Sequence, residues 1–285
     1  MNGILIIDKP ANFTSRDIVN IVGKKFKTKK VGHTGTLDPI ATGVLVVLIG
    51  KYTSLSEVIT GYDKIYEAEV ELGLLTDTLD STGNILKNKE AIFSKEEIIK
   101  VLNSMVGTYE QEVPIYSAVK VNGKKLYEYA RNGEDVNLPK RTVEIKEITL
   151  ISDIELENGH TKFRFRTTVS KGTYIRALIN DMAKKLNTYG TMTNLRRIRQ
   201  GKFDIKDAVT LKDLGNDNYK FLNINDCFDS SIKIEVDETL LFRIKNGQQL
   251  KNIYNLKEVV FTYNNNIIAI YKDEENTLKM WKYLL

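Results

Sequence analysis

The sequence predicts an α+β body, a mixed sheet flanked by helices, followed by a small β-rich C-terminal module. Three observations carry this. Some stretches alternate apolar and polar residues with period two, others repeat apolar residues at helical spacing, and the two kinds follow one another in an irregular order rather than as a regular βαβ repeat.

The elements can be justified in order along the chain. Ile7-Asp8-Lys9-Pro10 reads as a strand ending at a turn, since proline cannot donate to a ladder. Thr14 and Asp17 have capping-box spacing, and Ile18, Val19, Ile21, Val22 and Phe26 follow at helical intervals. Val44 to Ile49 is an uncharged, β-branched run ending at Gly50, the pattern of a buried strand. From Lys64 to Leu72 the period is two, with Tyr66, Ala68, Val70 and Leu72 on one face and Glu67, Glu69 and Glu71 on the other. Ser94 and Glu97 form a second capping-box pair ahead of Ile98, Val101, Leu102 and Met105. Thr161 to Val169 alternates again, placing Phe163, Phe165 and Val169 opposite Lys162, Arg164 and Arg166. After Gly172 a helix is expected from about Thr173, its core stripe being Ile175, Leu178, Ile179, Met182 and Leu186.

The texture changes near Ser231. From there short strands, a helix around Glu238 to Asn246 ending at Gly247, and a hairpin at Asn264 to Asn266 are expected. These could complete the main sheet or form a module. Their position after the motif-bearing body favours the module, giving domains of residues 1–230 and 231–285.

Composition narrows the function classes. At 285 residues with 42% hydrophobic residues, the chain can bury a substantial core. No apolar run approaches the roughly 20 residues needed to span a bilayer, and the start lacks a basic region and cleavage site, so no secretory signal is expected. Cys227 is the only cysteine, excluding an internal disulfide and a multi-cysteine zinc site. His33 and His160 are the only histidines, too few for a histidine metal cluster. The expected compartment is the cytoplasm. Neither a G-x-G-x-x-G nor a G-x-x-x-x-G-K-[ST] string occurs, which argues against redox and ATP-dependent chemistry. The net charge of +5 is modest but uneven: Lys24, Lys25, Lys27, Lys29 and Lys30 form one cluster, Arg196, Arg197, Arg199 and Lys202 another. Two such clusters could line a phosphate-binding groove, or could simply be solvated faces.

The most informative segment runs from Gly32 to Leu45, Gly-His-Thr-Gly-Thr-Leu-Asp-Pro-Ile-Ala-Thr-Gly-Val-Leu. It sets one carboxylate, Asp38, in a loop rich in glycine and threonine directly before a buried strand. Pro39 fixes its own φ and pushes Asp38 towards an extended conformation, so the backbone holds the carboxylate's direction. Gly35 and Gly43 permit turns or close approach of another chain. Without further context the loop could be an Asx turn.

The whole string resembles the signature of the TruB-type tRNA pseudouridine-55 synthases, and the likeness extends over about residues 3 to 205. Ile7-Asp8-Lys9-Pro10 resembles the family's lysine-proline motif, and Asp63-Lys64-Ile65-Tyr66 the motif that supplies its active-site tyrosine. Val169 to Arg176 with Leu195-Arg196-Arg197 resembles the motif carrying an arginine partner and an apolar residue of the uracil pocket. Val113 to Gly133 matches a fourth segment, with Val113 where most relatives carry a proline. The resemblance implies a pseudouridine-synthase-like catalytic domain and a PUA-like C-terminal RNA-binding module. It implies that Asp38 is the nucleophile, that Arg176 orients it, and that Tyr66 stacks on the base and can move a proton. Leu195 and Ile115 would form apolar walls, with Tyr116 and Lys9 also at the substrate, and His33 would be the wedge filling the space left by flipped T-loop bases. No cofactor and no metal are implied. The implied partner is the T arm of tRNA, without guide RNA or membrane, and the chain length resembles that of the stand-alone bacterial type, acting as a monomer.

That chemistry suits these residue types. Turning uridine into pseudouridine breaks the N1–C1′ bond and rejoins the base through C5 without net redox change, and a carboxylate can serve as covalent nucleophile. Attack at C1′, attack at C6 and removal of the 2′ proton all remain open for Asp38. Two other readings are available: a glycosidase or nucleobase hydrolase using a second carboxylate among Asp8, Asp77 and Asp80, and a non-catalytic RNA-binding protein on the same scaffold.

Overall fold

The computed structural model describes residues 1–228 and 232–284, so the expected module boundary at residues 230 and 231 lies outside the described residues. Numbering the elements of the two main sheets and the helices packed on them, the body's long strands are β1 (Gly3–Lys9), β2 (Thr42–Ile49), β3 (Lys64–Leu72), β4 (Gly107–Glu112), β5 (Lys140–Leu150), β6 (His160–Val169) and β7 (Gly190–Gln200). They lie side by side in the order β1-β2-β7-β3-β6-β5-β4. Every neighbouring pair is antiparallel except β2 and β7, which run parallel over a short contact at Thr42 and Gly43 opposite Arg196 and Arg197. The sheet is therefore mixed, and its one parallel seam lies directly behind the Asp38 loop.

Helices α1 (Ser15–Lys25), α2 (Lys95–Asn103) and α3 (Ile175–Lys185) cover one face. Their apolar stripes, including Ile18, Val22, Ile98, Leu102, Leu178 and Met182, form one cluster with Leu45, Val47, Ala68, Val70 and Phe165 of the strands. Thr14 and Ser94 cap α1 and α2 as reciprocal capping boxes with Asp17 and Glu97. α3 begins at Ile175, two residues later than the periodicity suggests. Tyr174 is held extended because its N–H donates to the buried Gln111 side chain at 2.8 Å.

The polar face of β3 meets the polar face of β6 in register: Lys162, Arg164 and Arg166 stand opposite Glu71, Glu69 and Glu67. Arg166 reaches Glu67 at 2.6 Å and Lys162 reaches Glu71 at 3.5 Å. Opposite charges directly across a pair pin the register as well as adding a little stability.

The C-terminal residues build a separate sheet from β8 (Lys233–Glu235), β9 (Leu250–Lys251), β10 (Glu258–Tyr263), β11 (Asn266–Glu274) and β12 (Thr277–Tyr283), with α4 (Glu238–Lys245) packed on it. Its order is β8-β10-β11-β12-β9. The hairpin between β10 and β11 turns on Asn264 and Asn265, both with φ near +60°, which asparagine tolerates. These strands do not extend the main sheet. They cover its other face: Val260, Ile267, Ile270 and Leu284 pack in one cluster with Ile4, Ile6, Val44, Val46 and Leu48. Lys282 also pairs with Glu57 at 2.9 Å across the junction.

The back of β1 and β2 thus depends on this sheet to exclude water. A chain ending at Phe228 should expose that apolar face, and buried side chains of this size cost about 1.5–3 kcal/mol each to uncover. Such a truncate is expected to be insoluble or to melt far below the full chain. A soluble truncate with an unchanged circular-dichroism melt would show that the two layers fold independently.

Candidate active site

Asp38 stands at the first position of a tight turn closed by the Ala41 N–H on the Asp38 carbonyl at 3.0 Å, with Pro39 at the second position, where its fixed φ fits. The residues on either side are anchored. The Ser15 hydroxyl accepts from the Leu37 N–H at 2.9 Å and lies 3.2 Å from the Leu37 carbonyl. The Pro39 carbonyl accepts from the Asn12 N–H at 2.9 Å and from Lys9 Nζ at 3.2 Å. The carboxylate therefore projects from a backbone that has little freedom to turn away.

It projects into a cleft of about 720 Å³. Arg176, the second residue of α3, reaches it in two places: Nε lies 2.9 Å from Oδ2 and Nη2 lies 3.2 Å from Oδ1. A cation in the first turn of a helix opposes the macrodipole, and the facing carboxylate offsets that cost. Two further donors are engaged, Nη1 with the Thr78 carbonyl at 2.8 Å and Nη2 with the Tyr116 carbonyl at 3.0 Å. Arg176 is 4% exposed, so the guanidinium is shielded from water, while the Asp38 side chain is 33% exposed to the cleft.

Tyr66, on β3, and Leu195, on β7, line the same cleft, as do Ile175, Val119 and Tyr127. Arg197 lies behind them, almost wholly buried, and donates to the Val44 carbonyl at 2.7 Å, the Gly35 carbonyl at 3.0 Å and the Tyr66 hydroxyl at 3.5 Å. It braces the tyrosine and the glycine loop from inside the protein, so it does not belong to a phosphate-facing patch as the charge clustering suggested. Its neighbour Arg196 is answered by Asp8, with contacts of 2.8 and 3.1 Å. Gly43 has φ +98°, and a Cβ there would sit 2.2 Å from the Arg197 carbonyl oxygen. Only glycine lets the parallel seam close this tightly.

The structure thus brings together Asp38, Arg176, Tyr66, Leu195 and Tyr116, while three expected contacts are placed differently. Lys9 is fully buried and outside the cleft, its ammonium taken up by the carbonyls of Pro10, Phe13 and Pro39. With its donors directed at backbone, it braces the Asp38 turn through the Pro39 carbonyl. Ile115 lines an adjoining cavity with Leu75, Leu86 and Ala177 and is absent from the lining of the Asp38 cleft. His33 lies outside the cleft lining, at the end of a short strand (Val31–His33), where its Nδ1 accepts from the Gly35 N–H at 3.3 Å. Burial, then the charges of Arg197 and Arg16, lower its pKa and favour the neutral ring.

One residue escaped the sequence reading except as a candidate acid. Asp80 is 5% exposed and lies 3.9 Å from Arg176 Nε through Oδ2. Its Oδ1 accepts from the Thr78 hydroxyl, the Thr82 N–H and the Thr82 hydroxyl at 2.6 to 3.0 Å. Arg176 therefore stands between two carboxylates, one buried and one facing the cleft. The signal was the Asp-Thr-Leu-Asp-Ser-Thr-Gly turn from residue 77, whose threonines have the spacing to saturate a carboxylate. No group of histidine, cysteine and carboxylate side chains able to hold a metal occurs among the described residues.

Comparison with known proteins places the fold and the family. Two solved structures share the fold at TM-scores of 0.75 and 0.73: a Cbf5-Nop10-Gar1 complex at 22% identity and an H/ACA RNP bound to a substrate RNA containing 2′-deoxyuridine at 21%. Each covers 99% of this chain and 85% of the matched one. Residues 23–175 match the TruB family pseudouridylate synthase N-terminal domain, and residues 176–230 the tRNA pseudouridylate synthase B C-terminal domain. Curated relatives called tRNA pseudouridine synthase B include one from Bacillus cytotoxicus, 40% identical over 95% of this chain and 92% of its own length. Another, from Lactobacillus acidophilus, is 41% identical over 95% and 94%. The fold and the family are those of a pseudouridine synthase, an isomerising enzyme rather than a bare binding scaffold. The chain belongs to the TruB family of pseudouridylate synthases.

Proposed function

We propose that this protein isomerises uridine 55 in the T loop of tRNA to pseudouridine, with Asp38 as the nucleophile. The observation that carries the reading is the two-point contact of Arg176 on Asp38 in a cleft walled by Tyr66 and Leu195. The planar guanidinium fixes both carboxylate oxygens, so the nucleophile needs no reorientation when the substrate arrives. The target base must leave its stack to reach Asp38. Tyr66 then offers a face to stack on, while Leu195 and Ile175 exclude water from the cleaved intermediate. The detached base rotates within this enclosure and rejoins through C5, so no outside group is consumed. His33, neutral at physiological pH, suits the wedge that occupies the vacated stack. The C-terminal sheet serves as a PUA-like module meeting the tRNA outside the T loop, and the enzyme works in the cytoplasm as a monomer without guide RNA.

A nucleoside hydrolase would need a second carboxylate free to act as acid or base. Asp80 is the nearest candidate, but its oxygens are directed to Thr78, Thr82 and Arg176, which favours the isomerase. Incubating purified protein with unmodified tRNA and mapping pseudouridine at single-nucleotide resolution tests the reading. A new pseudouridine at position 55 and no free uracil is the expected result. Free uracil, or modification confined to other positions, would overturn it.

A further inference from the structure

Among the described residues lining the cleft, Asp38 is the only carboxylate, whereas Lys64, Lys120, Arg141, Arg176 and Arg197 all contribute positive charge. Arg176 is answered by Asp38, and Arg197 by backbone carbonyls and Tyr66. That leaves Lys64, Lys120 and Arg141. Lys64 differs from the other two because it is 6% exposed. Its Nζ donates to the carbonyls of Thr60 at 2.6 Å and Tyr62 at 2.5 Å. An ammonium has three protons. Lys9 places all three on carbonyls, whereas Lys64 has one left, at a position that lines the cleft. The nearby carboxylate, Asp63, is already taken by Lys146 at 2.7 Å.

Keeping a charged amine out of water without an anion is costly. The environment shows that cost: burial first, then the charges of Arg197 and Lys171, outweigh Asp63 and bring the Lys64 pKa down to about 8. An anion delivered by the substrate would reverse it. Around Lys64 the same wall carries Thr60, Ser170 and Thr173, with Arg141 beside the Gly172 turn. Hydroxyls and spare cations without a competing carboxylate are what a phosphodiester requires, and a base edge would leave the charges unanswered.

We infer that Lys64 holds a backbone phosphate adjoining the flipped uridine, making it a substrate-positioning residue two places before the stacking tyrosine on the same strand. This rests on the proposed tRNA reading. The alternation of β3 puts Lys64 and Tyr66 on one face, so a single strand would grip the nucleotide at its phosphate and at its base.

The test is a cycle between protein and RNA. T-arm hairpins are made with a neutral methylphosphonate at the linkage 5′ or 3′ to the target uridine, and affinity and single-turnover rate are measured for the wild type and Lys64→Met. One of the two neutral linkages should weaken wild-type binding about tenfold. Lys64→Met should lose a similar factor on the natural hairpin and lose no more on the neutral one. Its binding should also show a salt slope shallower by about 0.7. If Lys64 only pins the turn at Thr60 to Tyr62, the two losses will multiply instead, and the inference fails. Should Lys64→Met not fold, Lys64→Gln takes its place. A wild type indifferent to both neutral linkages overturns the inference whatever the variants do. Wild-type conversion of the natural hairpin is the separate control: its failure would sink the tRNA reading, while conversion with multiplicative losses would sink only the phosphate contact.

Discussion

Asp38→Asn is expected to abolish pseudouridine formation, by on the order of 10⁴-fold or more in single-turnover rate, because an amide of nearly the same shape cannot attack as a carboxylate does. Folding and binding of tRNA should be retained. The turn that presents residue 38 is built from backbone contacts at Leu37, Pro39 and Ala41, none of which uses the side chain. The cost falls on Arg176, which would lose the ionic character of its contact. The measurement is pseudouridine formation within a T-arm hairpin at enzyme excess, beside a filter-binding titration and a thermal melt. Turnover within tenfold of the wild type would remove Asp38 from the nucleophile's role, and a collapsed melt would leave the rate uninterpretable as chemistry.

Arg176→Lys should also be severe, about 10²-fold in single-turnover rate, although the charge is kept. One ammonium cannot span both Asp38 oxygens while also reaching the carbonyls of Thr78 and Tyr116, as the guanidinium does. The carboxylate would keep a counter-charge but lose its fixed orientation, so the loss should appear in the chemical step and spare hairpin affinity. Arg176→Met should add a loss of stability of about 3–5 kcal/mol, the usual consequence of removing one member of a buried ion pair, because Asp80 is buried and would lose its nearest cation. An Arg176→Lys enzyme with an unchanged single-turnover rate would show that the two-point contact orients nothing that matters to the reaction.

Much of this protein was legible in the residues alone because the relevant physics is local. The period of two in β3 and β6, the capping boxes at Thr14 and Ser94, the asparagine hairpin and the Asp-Pro turn each depend on neighbours a few residues away. The long string around Asp38 and its companion motifs were enough to indicate the family. The sequence also marked Gly43 as a place of close approach, though not what approaches it.

What only the tertiary structure decided are the contacts made across long stretches of chain. Asp38 and Arg176 are 138 residues apart, and Arg197 reaches Val44 across 153. A run of basic residues at 196, 197 and 199 looks uniform in sequence, yet alternation along β7 sends Arg197 into the interior and leaves Arg196 to Asp8. Whether a lysine is spent on carbonyls, as Lys9 is, or keeps a donor for a ligand, as Lys64 does, depends on how many oxygens the fold sets around it. The C-terminal strands could be read as part of the main sheet or as a module, and only their position favoured the module. They proved to be a separate sheet whose core is shared with the back of β1 and β2. Hydrophobic burial is non-directional, so a sequence can specify which side chains leave water without specifying which partner covers them. That choice is made when the two faces meet.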